Sequence, residues 1–424
     1  MIAAPPSVHR LANGVEAICD PAAGFSTMAL SIVAGRGSRW EDEERGGWSH
    51  LLEHMVFKGA GERSAKAIVA AIEDSGGQIN AVTSWERTSF QVRGLTSGLE
   101  VALAVVADLL LDPRLDGAEL EKEKRIVGQE IAEAADIPDD QVFELAFAAA
   151  FPGQPIGRPV LGSRDAIGRA SPQGLARWRE ALYAPDRVVA SVAGPVEEEA
   201  FLALVEAHFG GARCGAPAPA PPLASFEGGI RAETRRLEQA HLVFALPAGG
   251  VGDPDRYALR LFGEMLGGSM SSRLFQRARE EMGLAYAIDA FAEGFSDVGL
   301  LGVYAGCAGK DAARLAAIVA TEIRDLAEGP DPSELARAKA QLSASLLMSA
   351  ESLPGRAEQW AWRRLALGRL ETSKEIAAEI AEVAEDDIRR AAARLLGPGR
   401  FAAAMVGPAS ARRAGEAFGE ALFG

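Results

Sequence analysis

The sequence predicts an α+β protein built from two homologous lobes. Its 424 residues are too many for one ordinary hydrophobic core, because single cores stop growing at about 250–300 residues. Near the middle, Ala216-Pro217-Ala218-Pro219-Ala220-Pro221-Pro222 reads as a stiff, extended linker. Segments before that linker recur after it. The run Tyr183 to Pro195 (YAPDRVVASVAGP) matches Leu396 to Pro408 (LGPGRFAAAMVGP) at an offset of 213, and the helical stretch from Asp116 matches the one from Asp331 at 215. The expected division is therefore an N-terminal lobe, 1–215, a Pro/Ala-rich linker, 216–226, and a C-terminal lobe, 227–424.

Within the first lobe, 14–20 and 27–33 read as strands, the second apolar nearly throughout, as for a strand covered on both faces. Gly46-Gly47 leads into a helix, and a second helix over 64–74 stops at Gly76-Gly77. Residues 78–93 read as two β segments, with Phe90 and Val92 pointing inward. An apolar helix spans 99–111, a long charged helix starts at Asp116, and helices follow over 139–150 and 171–182. A strand at 187–193 and a helix at 197–209 close the lobe. The second lobe opens with strands at 229–235 and 241–246, followed by helices over 254–266 and 272–281. Two β segments, 287–295 and 298–306, come next.

Composition excludes several classes. With 48% hydrophobic and 24% charged residues the chain is of ordinary soluble type. Its longest apolar run, 101–111, contains Asp108 and is far too short to span a bilayer, and the N-terminus has no signal-peptide pattern. A net charge of -15 argues against a nucleic-acid surface. Cys19, Cys214 and Cys307 are odd in number and widely separated, so they read as reduced thiols in a cytoplasmic protein.

Chemistry concentrates in Gly46-Gly47-Trp48-Ser49-His50-Leu51-Leu52-Glu53-His54-Met55. On a helix, His50 and His54 lie four residues apart and project from one face, so two imidazoles can meet one metal ion. Glu53 sits beside His54, where a carboxylate can act as general base on a water at the metal's open position. Short motifs arise by chance, yet two of only five histidines fall in this one; His9, His208 and His241 stand isolated and receive no role. A third ligand is expected from the long charged helix. Glu130 lies among Ile126, Val127 and Ile131, and Glu123 shares its face two turns earlier, about 10 Å along the axis. Glu130 is the expected ligand and Glu123 its support, with Glu133 the competing choice. In the second copy the positions of His50, Glu53 and His54 hold Leu259, Phe262 and Gly263, and those of Glu123 and Glu130 hold Ala338 and Ser345. All five are lost together, which marks them as one functional set rather than a requirement of the fold.

With these pieces placed, the chain resembles the pitrilysin-type inverted zincins, most closely the compact branch that includes mitochondrial processing peptidase and its bacterial homologues. The resemblance is carried by residues 47–59 (GWSHLLEHMVFKG), 77–88 (GQINAVTSWERT) and the helix ending Ile126-Val127-Gly128-Gln129-Glu130-Ile131. Ser272-Arg273-Leu274-Phe275 through Arg279 and Gly283-Leu284-Ala285-Tyr286 carry it too. It implies lobes made of mostly antiparallel sheets flanked by helices. It also implies one zinc ion per chain on His50, His54 and Glu130, with Glu53 as general base and Glu123 in support. Arg279 and Tyr286 match a pair that binds substrate near the scissile bond, and Asn80-Ala81 match the edge along which a peptide is held as an added strand. The resemblance implies an endopeptidase for unfolded peptides or presequences. It also implies a homodimer in which the Arg/Tyr pair of one chain faces the zinc site of the other. A catalytically silent structural or assembly subunit on the same fold is the alternative. A purely structural zinc domain fits less well, since structural sites favour four protein ligands, commonly cysteines.

Overall fold

The computed structural model describes residues 6–213 and 219–424; Cys214 and the start of the expected linker, 216–218, lie outside the described residues. The chain divides into two compact units. Unit 1 comprises Met1–Ala132, Pro159–Pro222 and Leu347–Ser373, and unit 2 comprises Glu133–Arg158, Leu223–Leu346 and Lys374–Gly424. In chain order the strands of the two large sheets are β1 (Val8–Arg10), β2 (Glu16–Pro21), β3 (Thr27–Ala34), β4 (Gln78–Thr83), β5 (Thr88–Leu95), β6 (Val188–Gly194), β7 (Gly229–Thr234), β8 (Gln239–Ala248), β9 (Ala285–Gly294), β10 (Gly299–Ala308) and β11 (Ala402–Gly407); Gly59–Ala60 and Arg63–Ser64 pair in a separate two-stranded sheet. The helices needed below are α1 (Trp48–Val56), α2 (Ala65–Asp74), α3 (Leu99–Leu111), α4 (Gly117–Asp136), α5 (Pro138–Ala150), α6 (Pro172–Leu182), α7 (Arg256–Gly267), α8 (Pro332–Ala350) and α9 (Leu353–Leu367).

Unit 1 holds a six-stranded sheet in the order β1-β2-β6-β3-β5-β4, and unit 2 a five-stranded sheet in the order β9-β10-β8-β11-β7. Taken from opposite ends of those orders, β4-β5-β3-β6-β2 corresponds to β9-β10-β8-β11-β7. The pairings agree as well: β2/β6 and β7/β11 are parallel, and the remaining pairs are antiparallel. The sequence repeat is thus a repeat of topology, and each unit is an α+β layer of mostly antiparallel sheet flanked by helices.

The apolar strands follow from burial on both faces. Along β3, Met28, Leu30, Ile32 and Ala34 enter the main core of unit 1 together with Leu103, Val106 and Leu110 of α3. The alternate residues point to the other face, where Ala29 meets Leu353 and Ala357 and Val33 meets Trp360 and Ala361, all from α9. That helix is fixed by charge as well. Arg356 donates to both oxygens of buried Asp20 at 2.8 and 2.5 Å, the Trp360 indole donates to the same carboxylate at 2.7 Å, and Arg364 forks onto Glu16. Glu358 accepts from Ser31, Ser89 and Gln91, which explains why β3 and β5 carry polar residues on a covered face.

Unit 2 repeats the scheme. Leu242, Phe244, Ala403 and Met405 enter its main core, whereas Val243, Ala404 and Val406 meet Val142 and Ala146 of α5 on the opposite face. The covering helices are exchanged: α5 precedes the Pro/Ala-rich stretch and belongs to unit 2, whereas α9 follows it and belongs to unit 1.

Candidate metal centre

The helix that carries the histidines is held at its start by groups remote from it in sequence. Gly47 takes φ +90°, and a Cβ there would lie 2.3 Å from the Leu161 carbonyl oxygen, so only glycine fits. The buried Glu41 carboxylate accepts from the Gly47 and Ser49 amides at 2.7 and 2.6 Å, covering orphan N–H groups of the first turn and placing a negative charge at the positive end of the helix. Leu51, Leu52, Met55 and Val56 are fully buried, and the Trp48 indole donates to the Ala166 carbonyl. Ser49 accepts from Trp178 of α6. With one stripe locked into the core, His50 and His54 share the opposite one, their ring centroids 4.7 Å apart.

α4 brings its carboxylates to the same place. Glu130 Oε2 lies 4.0 Å from His50 Nε2 and 3.6 Å from His54 Nε2, and one donor atom from each of the three residues falls within 4.8 Å of the others. These separations exceed hydrogen-bond range. They suit donors grouped around a common ion, since ligands about 2.1 Å from a tetrahedral centre stand about 3.4 Å from one another. Glu130 Oε2 and His50 Nδ1 are buried without a hydrogen-bond partner among the described residues, and an unpartnered buried carboxylate oxygen is costly unless something positive occupies the space before it. Burial, with His54 beside it, holds the His50 imidazole down to about 4, so it is neutral and able to ligate near pH 7. The donor set, two imidazoles and one carboxylate, is that of a zinc site with an open fourth position. Glu133, the competing choice, is exposed and not part of the group.

Glu123 is 2% exposed and lies behind the histidines. Its Oε2 is 3.1 Å from His54 Nδ1 and its Oε1 is 2.9 Å from Lys58 Nζ. With Nδ1–H donated to the carboxylate, the His54 Nε2 lone pair is free to face Glu130. Glu53 projects beside His54 into a cavity of about 580 Å³ whose walls include Phe57, Ile72, Asn80 and Ala81. Burial raises the Glu53 carboxyl above its usual range, and Thr83 opposes this by donating its hydroxyl to Oε2 at 2.5 Å. β4 is the edge of its sheet and alternates in exposure, with Gln78, Asn80 and Val82 outward.

Arg279 and Tyr286 lie in unit 2. Residues Phe275–Glu281 form a π-helical turn in which the Arg279 guanidinium lies 4.6 Å from the Phe275 ring centroid. Tyr286 is the bulged residue between Ala285 and Ala287 on the edge strand β9 and is 76% exposed. Bulges at sheet edges re-aim a side chain in this way. Three residues of the site escaped sequence reasoning: Glu41, Lys58 and Thr83. Lys58 stands four residues after His54, but its partner Glu123 is remote, and neither Glu41 nor Thr83 carries a local sign of its contact.

The chain is similar to known proteins over nearly its whole length. A family model described as Insulinase (Peptidase family M16) matches residues 15–164, and one described as Peptidase M16 inactive domain matches 169–342. The uncharacterized zinc protease YmxG of Bacillus subtilis is 34% identical over 397 residues, which are 93% of this chain and 97% of that protein. An uncharacterized zinc protease of Rickettsia felis is 31% identical over 403 residues, 95% and 97% of the two chains. The crystal structure of a protease from Helicobacter pylori shares the fold with TM-score 0.87 at 19% identity, covering 96% of this chain and all of that one. A Pseudomonas fluorescens structure titled peptidase M16 inactive domain does so with TM-score 0.89 at 18% identity, covering 96% and 98%. No helix among the described residues is long and apolar enough to cross a membrane. A repeated α+β unit whose first copy, alone among the described residues, groups two histidines and a glutamate, together with relatives alike over nearly their whole length, places this chain in the pitrilysin-type peptidase family M16.

Proposed function

We propose that the chain is a zinc endopeptidase acting on extended, unfolded peptides, with one zinc ion per chain on His50, His54 and Glu130. The observation that carries this reading is the convergence of those donors beside Glu53, with Glu53 and His54 lining a cavity bordered by an edge strand. When bound, zinc supplies Lewis acidity at the scissile carbonyl and acidifies water. The chain's own residues do the rest. Asn80 and Ala81 offer the free edge of β4, on which a peptide adds as a further strand; main-chain hydrogen bonds then fix its register, and folded substrates are excluded. Glu53 removes the proton from the attacking water and returns it to the leaving amine. Glu123 keeps His54 in the tautomer whose Nε2 faces Glu130.

Arg279 and Tyr286 would fix the peptide backbone or the developing oxyanion, supplied by the second copy of a homodimer. A mixture of Glu53→Gln and Tyr286→Phe chains, each inactive alone, is then expected to regain activity. A mixture with none would refute sharing of the pair between copies. The main test is cleavage of unstructured peptides of graded length, with and without a chelator, with bound zinc quantified and Glu53→Gln in parallel. Chelator-sensitive cleavage that is lost in a zinc-loaded Glu53→Gln chain is the expected result. Zinc-loaded wild type without activity would favour a silent subunit, the reading that the match to an inactive-domain model keeps open.

A further inference from the structure

We propose that Thr83 is the positioning residue of the Glu53 carboxylate, and that it couples this base to the strand edge on which the peptide lies; the proposal rests on the peptidase reading above. Thr83 is the last residue of β4. By the two-residue period of a strand it shares a face with Ile79 and Ala81, both packed on the main core of unit 1, while Asn80 and Val82 point outward. From that inward face its hydroxyl donates to Glu53 Oε2 at 2.5 Å. The Thr83 main chain bonds the same carboxylate, so this one residue engages Glu53 through both its hydroxyl and its backbone.

The hydroxyl is held in place from behind. Thr83 pairs with Thr88 at the closed end of the β4–β5 hairpin, whose loop is tied by Ser84 N–H to the Arg87 carbonyl at 2.8 Å. The Ser38 and Arg39 amides donate to the Ser84 and Trp85 carbonyls at 3.0 and 2.9 Å, and Arg39 forms a buried ion pair with Glu86 at 2.6 Å. A hairpin fixed at this end and free along its outer edge transmits strand position to the Glu53 carboxylate. A peptide that adds in register would hold β4, and with it the base, in the working geometry; the cost of a misplaced catalytic group is large for small displacements.

The test compares Thr83→Val, nearly isosteric but without the hydroxyl, with Thr83→Ser, which restores it, in the zinc-loaded full chain. For Thr83→Val, kcat is expected to fall about ten- to a hundredfold, the loss of one hydrogen bond to a charged group, with KM within about twofold. Thr83→Ser should recover most of the loss, and zinc content and melting temperature should stay at wild-type values in both. Thr83→Ala, which removes the hydroxyl without adding bulk, should fall with Thr83→Val. In crystals of the metal-free chains, Glu53 should keep its orientation in wild type and Thr83→Ser and turn away from β4 in Thr83→Val. Unchanged kcat in Thr83→Val and Thr83→Ala would overturn the proposal, as would equal impairment of Thr83→Ser or a loss confined to KM. An inactive wild type would remove the peptidase reading instead, and the crystals would still decide whether Thr83 holds Glu53.

Discussion

Replacing Glu123 with Gln isolates the buried carboxylate that stands behind the metal ligands. The change keeps side-chain volume but not bonding capacity. At present one oxygen faces His54 Nδ1 at 3.1 Å and the other faces Lys58 Nζ at 2.9 Å, so both partners are donors and the carboxylate, acceptor on both sides, satisfies them together. An amide offers one acceptor and one NH2 group. Whichever way it turns, a donor meets a donor, and one bond of a side chain that is 2% exposed is lost. A charge-assisted bond of that kind contributes about 1.5–3 kcal/mol, and if the amide oxygen turns to Lys58, the His54 ring loses its fixed tautomer. Zinc affinity is expected to fall about ten- to a hundredfold, the usual effect of removing a ligand's orienting partner, equivalent to about 1.4–2.8 kcal/mol. Competition against a chromophoric chelator gives the dissociation constant, and melting of the metal-free chain separates it from general destabilisation. Wild-type affinity in Glu123→Gln would refute the claim that Glu123 orients His54. An affinity loss matched by collapse of the metal-free melting temperature would assign the residue to the core instead.

Other expectations concern metal and thiols. Chelation should lower the melting temperature, since a ligand bound only by the folded state at a hundredfold excess over Kd stabilises it by about 2.7 kcal/mol. His50→Leu, the residue that the second copy carries as Leu259, should abolish that shift while leaving the metal-free melting temperature at or above the wild-type value, because it removes a buried Nδ1 with no partner among the described residues; a marked drop would contradict this. Burial pushes the Cys19 and Cys307 thiols up to about 12, so both should resist an aromatic disulfide reagent at pH 8 until the chain unfolds. The same shift sets a sign. Between about 9 and 12 the folded state keeps protons that the unfolded state has released, so stability should fall as pH rises through that window. Fast labelling of either thiol in the folded chain at pH 8 would contradict its burial.

What the sequence made legible is what periodicity and spacing encode. The apolar run 99–111 is α3 residue for residue, and β3 reads as doubly covered because every second residue meets a different layer. His50 and His54 were legible because four residues on a helix define one face, and Glu130 because its neighbours are apolar. Long-range partners were not. Nothing local distinguishes Glu41 from the exposed acids beside it, yet it alone of Glu41, Glu43 and Glu44 turns back onto the start of α1. Residues 272–281 read as an ordinary helix, whereas Phe275–Glu281 are π-helical, a difference of one residue in hydrogen-bond reach with no signature in composition. An apolar stripe shows that α5 and α9 pack on something; it does not say on which sheet.

That exchange of helices bears on how the protein can be made. A ribosome that has released residues 1–222 has delivered every strand of the first sheet but not the helix that covers one of its faces, because α9 begins at Leu353. Until about 130 more residues emerge, Ile18, Ala29, Val33, Val189 and Ala193 stay open to water, with the carboxylate of Asp20 lacking both donors that later secure it. The nascent first half therefore carries an uncovered apolar face until that helix arrives, and contacts of such long sequence separation form slowly. Gene fission at the Pro/Ala-rich stretch would leave each fragment without its own lid, and the fragments would have to trade helices to become stable.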